Sequence, residues 1–227
     1  MTSYACVAEA FADTGLVLRG GFHFERQEEA PSGPNGAVGT CIVLVGNVGP
    51  GLWHTFGKME HSWPNPLDRW TAETVGPIAS ALGARAVYPS DKPYQPFQRW
   101  AMRAEPVQPS PLGILIHPEH GLWHAYRAAL IFSQALDIPA RRDEARPCDS
   151  CADKPCLATC PVVAFGKAGY DVPKCVAHIQ TEAGVSCLTG GCLARAACPV
   201  GGAYGRYHTE QAGFHMAAFL RARLAAE

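Results

Sequence analysis

The cysteines have the most distinctive chemistry of this chain, because eight of its ten cysteines fall within residues 148–198. They form a run Cys-x2-Cys-x4-Cys-x3-Cys-Pro, a solitary cysteine and a run Cys-x4-Cys-x5-Cys-Pro, at Cys148, Cys151, Cys156, Cys160, Cys175, Cys187, Cys192 and Cys198. A dense cysteine run that closes with Cys-Pro is typical of iron-sulfur proteins. Zinc and disulfide bonds are the alternatives, but two Cys-Pro endings are not a zinc-finger pattern. The spacing therefore predicts an iron-sulfur region.

The stretch HPEHGLWH, residues 117–124, is the second candidate site. Three histidines and Trp123 crowd into it, but their spacing fits no familiar zinc site. Imidazole and aromatic groups beside Gly121 suit the wall of a pocket for a large flat ligand. The alternative is an ordinary loop whose Trp123 packs into the core.

Alternating helices and strands predict an α/β domain that positions this stretch. Apolar residues spaced i, i+3, i+4 and i+7 from Tyr4 predict a helix, and the apolar run Cys41–Val45 predicts a central strand covered on both faces. Start signals and apolar periodicity predict further helices at 66–83, 97–104 and 208–227. Strands are predicted at 84–88, 113–116 and 126–132, the last two as a hairpin-like pair around the histidines.

Composition and charge limit the classes of partner. The formal net charge is −1 and no Lys/Arg-rich run occurs, which disfavours a surface that binds nucleic acid. No apolar run approaches the roughly 18 to 20 residues that span a bilayer, and the first residues lack the basic start of a secretion signal. We therefore expect a cytoplasmic protein without a membrane partner, in a compartment where thiols stay reduced.

The stretch LGILIHPEHGLWHAYRAALIFSQALDIP, residues 112–139, resembles the corresponding part of the cobalamin-processing CblC family. The likeness extends upstream through GTCIVLVGNVGPGLWHTF and NPLDRWTAETVGPIASALGARAVYPSDKP, and the same region is similar to epoxyqueuosine reductase. Both resemblances imply a nitroreductase-like α/β domain that holds cobalamin with its nucleotide base detached. They imply a corrinoid pocket that includes His117, Gly121, Trp123 and His124.

The cysteine region resembles the ferredoxin part of epoxyqueuosine reductase, including the segment DVPKCVAHIQTEAG around the solitary cysteine. The resemblance implies two [4Fe-4S] clusters with crossed ligation, one held by Cys148, Cys151, Cys156 and Cys198 and the other by Cys160, Cys175, Cys187 and Cys192. Both cysteine runs have longer spacings here than in that family. The expected fold class is α/β (α+β). A nitroreductase-like layered domain at 1–143 precedes a small ferredoxin-like iron-sulfur domain with a C-terminal helix at 144–227.

Together these resemblances imply an iron-sulfur oxidoreductase that binds base-off cobalamin and passes electrons to its cobalt. A reductase or a flavodoxin-type protein is the electron donor that such a protein requires. The likeness to epoxyqueuosine reductase also implies Asp91 as a catalytic acid, whereas a solvated turn aspartate is the alternative. Two rival functions stay open, a ferredoxin-type electron carrier without corrinoid and a non-catalytic cobalamin chaperone.

Overall fold

A computed structural model describes residues 2–26, 28–60, 62, 64–202 and 205–225. Its contacts divide the chain into two compact units. The first unit comprises Met1–Pro106 and His124–Asp143, and the second comprises Val107–Trp123 and Glu144–Glu227. The second unit thus includes a stretch that the sequence prediction assigned to the first domain. The predicted domain boundary after residue 143 stays a prediction.

The helices and strands of the described residues are short, apart from two 16-residue helices. The strands are β1 Val17–His23, β2 Cys41–Val48, β3 Ala84–Val87, β4 Gln108–Pro109, β5 Leu115–Ile116, β6 His124–Phe132, β7 Phe165–Gly166 and β8 Gly169–Tyr170. The helices are α1 Tyr4–Glu9, α2 Gly51–Phe56, α3 Pro66–Ala81, α4 Phe97–Ala104, α5 Pro147–Ser150, α6 Pro155–Ala158, α7 Val172–Ile179, α8 Val185–Gly190, α9 Leu193–Ala196 and α10 Thr209–Leu224.

The first unit is built on a four-stranded antiparallel sheet with the order β1-β2-β6-β3. The apolar run that begins β2 is 0% exposed from Cys41 to Val45, so both faces of this internal strand are covered. The sequence prediction of a doubly covered central strand is therefore confirmed. β-branched residues suit such a strand because their side chains pack well on a pleated surface.

Helices of the first unit pack against this sheet. Helix α4 contacts β1, and α3 contacts β3 and β6. Helix α4 buries one face, formed by Phe97, Trp100, Ala101 and Ala104, which matches the 3.6-residue period. The mixed α/β class expected from the sequence is thus confirmed for this unit.

The expected hairpin around the histidine loop is wrong. Strand β5 pairs with β4 through Gln108 and Ile116, whereas β6 lies inside the four-stranded sheet. The loop backbone instead turns on itself, because His117 and Gly121 exchange backbone hydrogen bonds of 2.9 Å. Apolar alternation predicts that strands exist, but it does not identify the strand with which each one pairs.

The second unit consists of short helices, two small β-ribbons and the longer helix α10. Its core joins three cysteine side chains to a few apolar ones, among them Leu112, Ile116 and Phe165. Helix α10 packs on α8 and α7, and Gly213 lets it approach the backbone of Thr189 closely. A core this small and this rich in thiols is typical of domains that depend on a metal for stability.

Within the described residues, no helix combines the length and the hydropathy that crossing a membrane requires.

Candidate functional site

A first group of four cysteines in the second unit lines one pocket. The group comprises Cys148, Cys151, Cys156 and Cys198, and Lys154 lies on the same pocket. Helices α5 and α6 each begin with a proline, at Pro147 and Pro155, which fixes the chain direction just before a cysteine. The first three cysteines of the first run thus line this pocket together with the last cysteine of the chain, which lies after α9.

The thiols of this first group interact electrostatically. Burial raises the pKa of Cys148, and the neighbouring thiols of Cys198 and Cys151 raise it further against the opposing charge of Arg146. Burial likewise raises the pKa of Cys156, again with contributions from the other three members of the group. The neighbouring thiols thus oppose ionisation of Cys148 and Cys156, and a bound cation would relieve that opposition.

A second group comprises Cys160, Cys175, Cys187 and Cys192. Burial raises the pKa of Cys175, and the nearby Cys160 and Cys187 add to the rise. Burial also raises the pKa of Cys192, with further contributions from Cys175 and Cys187. The solitary cysteine of the sequence, Cys175 on α7, thus lies in the same group as Cys160, the fourth cysteine of the first run.

Several donors point at sulfur atoms of this second group. The Tyr170 hydroxyl donates a hydrogen bond to the Cys175 sulfur, and the backbone N–H of Ala164 donates to the Cys160 sulfur at 3.3 Å. Tyr170 is held by stacking on Phe165, with ring centroids 4.6 Å apart. Hydrogen bonds to sulfur stabilise its negative charge, as in protein iron-sulfur sites. The sequence analysis did not identify Tyr170, whose position five residues before Cys175 is the one available signal.

The spacing of the sulfur atoms bears on the kind of metal site that they could form. All ten cysteines are described and are free thiols. No three of their sulfur atoms lie within 4.8 Å of one another. A tetrahedral zinc ion with Zn–S bonds of about 2.3 Å draws its sulfur ligands closer together than that. The two groups of four thiols are therefore wider than a single bound zinc ion requires.

The histidines of the loop do not form one metal site. The His117 Nδ1 atom accepts backbone hydrogen bonds from Glu119 at 3.0 Å and His120 at 3.2 Å. Ligand atoms of these three residues lie within 4.8 Å of one another, but the His117 and His120 rings are stacked at 4.3 Å. Imidazole lone pairs lie in the ring plane, so two nearly parallel rings do not converge on one ion. His124 belongs to the first unit.

Gly121, a predicted corrinoid contact, is required by backbone packing in the second unit. Its φ is +58°, and a Cβ atom there would overlap the carbonyl group of Val200. Only glycine combines this conformation with such a close approach. Its role in ligand binding stays a prediction.

Trp123 is 5% exposed and lies among aromatic and cationic side chains of the second unit. Its ring meets Tyr207 edge to face at a centroid distance of 5.5 Å. The guanidinium carbons of Arg195 and Arg206 lie 4.9 Å and 5.8 Å from the indole centroid. The alternative interpretation, in which this tryptophan packs into a core, agrees with this burial, and its contact with a corrinoid stays a prediction.

His124 lies beside a buried ion pair in the first unit. Its Nδ1 atom is 3.2 Å from Nη2 of Arg19, a residue that is 1% exposed. Arg19 donates two hydrogen bonds, of 2.9 Å and 2.8 Å, to the carboxylate of Glu105, which also accepts one from the Tyr126 hydroxyl. Burial and the Glu105 charge together raise the pKa of Tyr126, although Arg19 opposes the rise. Sequence reasoning missed this pair, whose members are 86 residues apart.

Asp91 lies in an exposed turn after β3 of the first unit. Its carboxylate accepts a hydrogen bond from the Tyr88 backbone N–H at 2.8 Å, and its own N–H donates to the Tyr88 carbonyl. This is the geometry of an aspartate that closes a turn. Its role as an acid stays a prediction.

Solved structures of the two families that the sequence resembles have a similar fold. The structure matches epoxyqueuosine reductase from Streptococcus thermophilus with a TM-score of 0.54 and 11% identity, covering 91% of this chain and 68% of that chain. It matches the C. elegans B12-trafficking protein CblC with a TM-score of 0.51 and 12% identity, covering 94% of this chain and 92% of that chain. At such identities the likeness shows the fold alone. No protein-family model and no curated protein sequence matches this chain.

The match to epoxyqueuosine reductase from Bacillus subtilis is weaker, with a TM-score of 0.48 at 17% identity. It covers 77% of this chain, and the chain spans about half of that enzyme, 52% of its length.

Proposed function

We propose that this chain is an iron-sulfur oxidoreductase that binds base-off cobalamin and delivers electrons to its cobalt. The observation that carries the proposal is the division of eight cysteines into two groups of four thiols. The cobalamin part is supported by the fold likeness to a B12-trafficking protein and to epoxyqueuosine reductase. Processing or reactivation of the vitamin and reduction of a substrate through it are both consistent with this role.

In this proposal each cysteine group holds one [4Fe-4S] cluster, and a bound cluster supplies electrons one at a time. The Tyr170 hydroxyl and the Ala164 N–H orient sulfur atoms of the second group and stabilise their charge. Lys154 contributes positive charge at the pocket of the first group, and its Nζ donates to the Cys151 carbonyl at 3.3 Å. The two sites therefore have different electrostatic surroundings.

The corrinoid residues proposed from the resemblance are His117, Gly121, Trp123 and His124, with Asp91 as the acid. Gly121 and Trp123 make internal contacts within the second unit, and His124 contacts Arg19 within the first. Their side chains thus supply no independent support for a corrinoid pocket, and support comes from the fold likeness.

Iron loading of cysteine variants tests the cluster assignment. Anaerobically purified protein is expected to contain about eight iron and eight sulfide per chain. Cys198→Ser and Cys160→Ser should each weaken a different cluster, seen as loss of different signals in the electron paramagnetic resonance spectrum of the reduced protein. Cys41→Ser is the matched control, because this buried cysteine belongs to the sheet core of the first unit.

Two results would contradict this assignment. Iron content near zero in the wild type removes the cluster proposal altogether. Loss of the same signal in the Cys198 and Cys160 variants contradicts crossed ligation, because the two residues would then serve one cluster.

Titration with base-off cob(II)alamin tests the corrinoid part separately. The absorption spectrum should change on binding and change again when the clusters are reduced beforehand. Binding without the second change would indicate a cobalamin chaperone. Asp91→Asn should leave binding intact and slow only a proton-dependent turnover.

The second candidate function is a ferredoxin-type electron carrier without corrinoid. The internal contacts of Gly121, Trp123 and His124 favour it, because these residues already have packing roles. Reducible clusters with no spectral response to cob(II)alamin would establish this alternative.

A further inference from the structure

A pocket of about 170 Å³ lies within the second unit, beside the second cysteine group. Its lining includes Trp123, Cys192, Arg195, Arg206, Tyr207 and Met216. A cavity of roughly 150 Å³ accommodates a benzene ring, so this pocket has room for a small ring system. Aromatic and aliphatic walls with a few polar groups are typical of small-molecule sites.

Two arginines give the pocket positive charge. Arg195 lies 4.5 Å from the Tyr207 ring centroid, and its Nε donates to the Leu122 carbonyl at 3.0 Å. Arg206 is exposed, and it stacks over Trp123. Neither guanidinium forms an ion pair with a carboxylate of the residues that the structure describes. A bound anion would therefore neutralise the positive charge of these two arginines.

Trp123 contributes its aromatic ring to the wall of this pocket. The residue is 5% exposed, and its buried Nε1 atom has no acceptor in the described part of the chain.

We propose that this pocket binds a small organic oxyanion, a carboxylate or phosphate ester carried on a flat apolar group. The two guanidinium groups supply donors for the oxyanion, and the aromatic walls accept the flat group. The site goes beyond the proposed cobalamin role, because it depends only on side chains of the second unit. Since Cys192 lines the same pocket, an occupant lies next to the second cysteine group.

Calorimetric titration of the iron-loaded protein at low salt tests the proposal, with benzoate, phenyl phosphate and the uncharged benzamide as probes. Benzoate or phenyl phosphate should bind saturably, and the tighter of the two identifies the oxyanion. Benzamide should bind at least about tenfold more weakly, because a hydrogen bond to a charged group exceeds one to a neutral group by about that factor.

Two variants localise the binding. Arg206→Gln, at an exposed position, should weaken the tighter probe about tenfold or more. Arg223→Gln is the matched control, since Arg223 also stacks on an aromatic ring, that of Phe219, but does not line the pocket. Absence of saturable binding by both anions, equal binding of benzamide, or unchanged affinity in Arg206→Gln would each overturn the proposal.

Discussion

Replacing Arg19 by methionine should strongly destabilise the first unit. The Arg19 side chain is 1% exposed and that of Glu105 is 13% exposed, so little water reaches their two hydrogen bonds. Arg19 also donates to the Asn47 carbonyl at 3.2 Å and lies over the Tyr126 ring at 4.8 Å. Its removal leaves the Glu105 carboxylate charged, nearly buried and without its counterion.

The magnitude follows from this burial. Removing one partner of a buried ion pair costs about 3–5 kcal/mol, because the remaining charge is neither solvated nor paired. For a chain of this size that cost corresponds to a fall in melting temperature of about 6–20 °C. Adding Glu105→Gln to Arg19→Met should recover about 1–3 kcal/mol, since glutamine carries no charge and still accepts from the Tyr126 hydroxyl.

Equilibrium urea unfolding under anaerobic conditions, followed by circular dichroism, measures these differences. Arg69→Met is the control, because the Arg69–Glu73 pair is 56% and 54% exposed and should contribute less than about 1 kcal/mol. A single Arg19 variant as stable as the control, or a double variant no more stable than the single one, would refute the reasoning.

Three further predictions concern the second unit and the two cysteines outside it. Gly121→Ala should destabilise the protein by several kcal/mol more than Gly113→Ala, because both residues have positive φ but only the first has backbone atoms where the Cβ would lie. Iodoacetamide should label Cys6 before Cys41, because hydrogen bonds at Ser3 lower the pKa of the exposed Cys6 thiol while burial raises that of Cys41. Tyr170→Phe should lower the reduction potential of the cluster proposed for the second cysteine group, because one hydrogen bond to the Cys175 sulfur is lost.

Each of these predictions has a direct measurement. Thermal melts compare the two glycine variants, and equal losses would contradict the close approach at Gly121. Peptide mass spectrometry of the iron-loaded protein follows alkylation, and faster labelling of Cys41 would contradict the stated thiol environments. A redox titration monitored by electron paramagnetic resonance compares the tyrosine variant with the wild type, and an unchanged potential would contradict the Tyr170 hydrogen bond.

Much of the local structure could be predicted from the sequence. Helix α4 was predicted with its observed ends, Phe97 and Ala104, because its apolar residues repeat with the helical period. The start of β2 at Cys41 was predicted because a β-branched apolar run bounded by glycine has few other conformations available. Both signals are local, so a single sequence contains them.

The sequence by itself determined the number of thiols in the cysteine region and the two Cys-Pro endings, because both are properties of the chain alone. Their division into two groups was an implication of a resemblance, and the structure places Cys198 with the first three cysteines and Cys160 with Cys175. Metal binding itself stays a prediction. The distances between sulfur atoms depend on how the short helices of the second unit pack against one another. The spacing of the cysteines in the sequence does not specify that packing.

Only the tertiary structure decided the pairing of β5 with β4, the burial of Arg19 against Glu105 and the arginine-lined pocket around Trp123. Each joins residues far apart in the chain, and none leaves a periodic pattern. The charge of an arginine or glutamate predicts that its side chain is exposed. Such a side chain is buried only where the fold brings an oppositely charged partner beside it. The amino-acid sequence thus defines which interactions the side chains can make, and tertiary packing determines which of those interactions form.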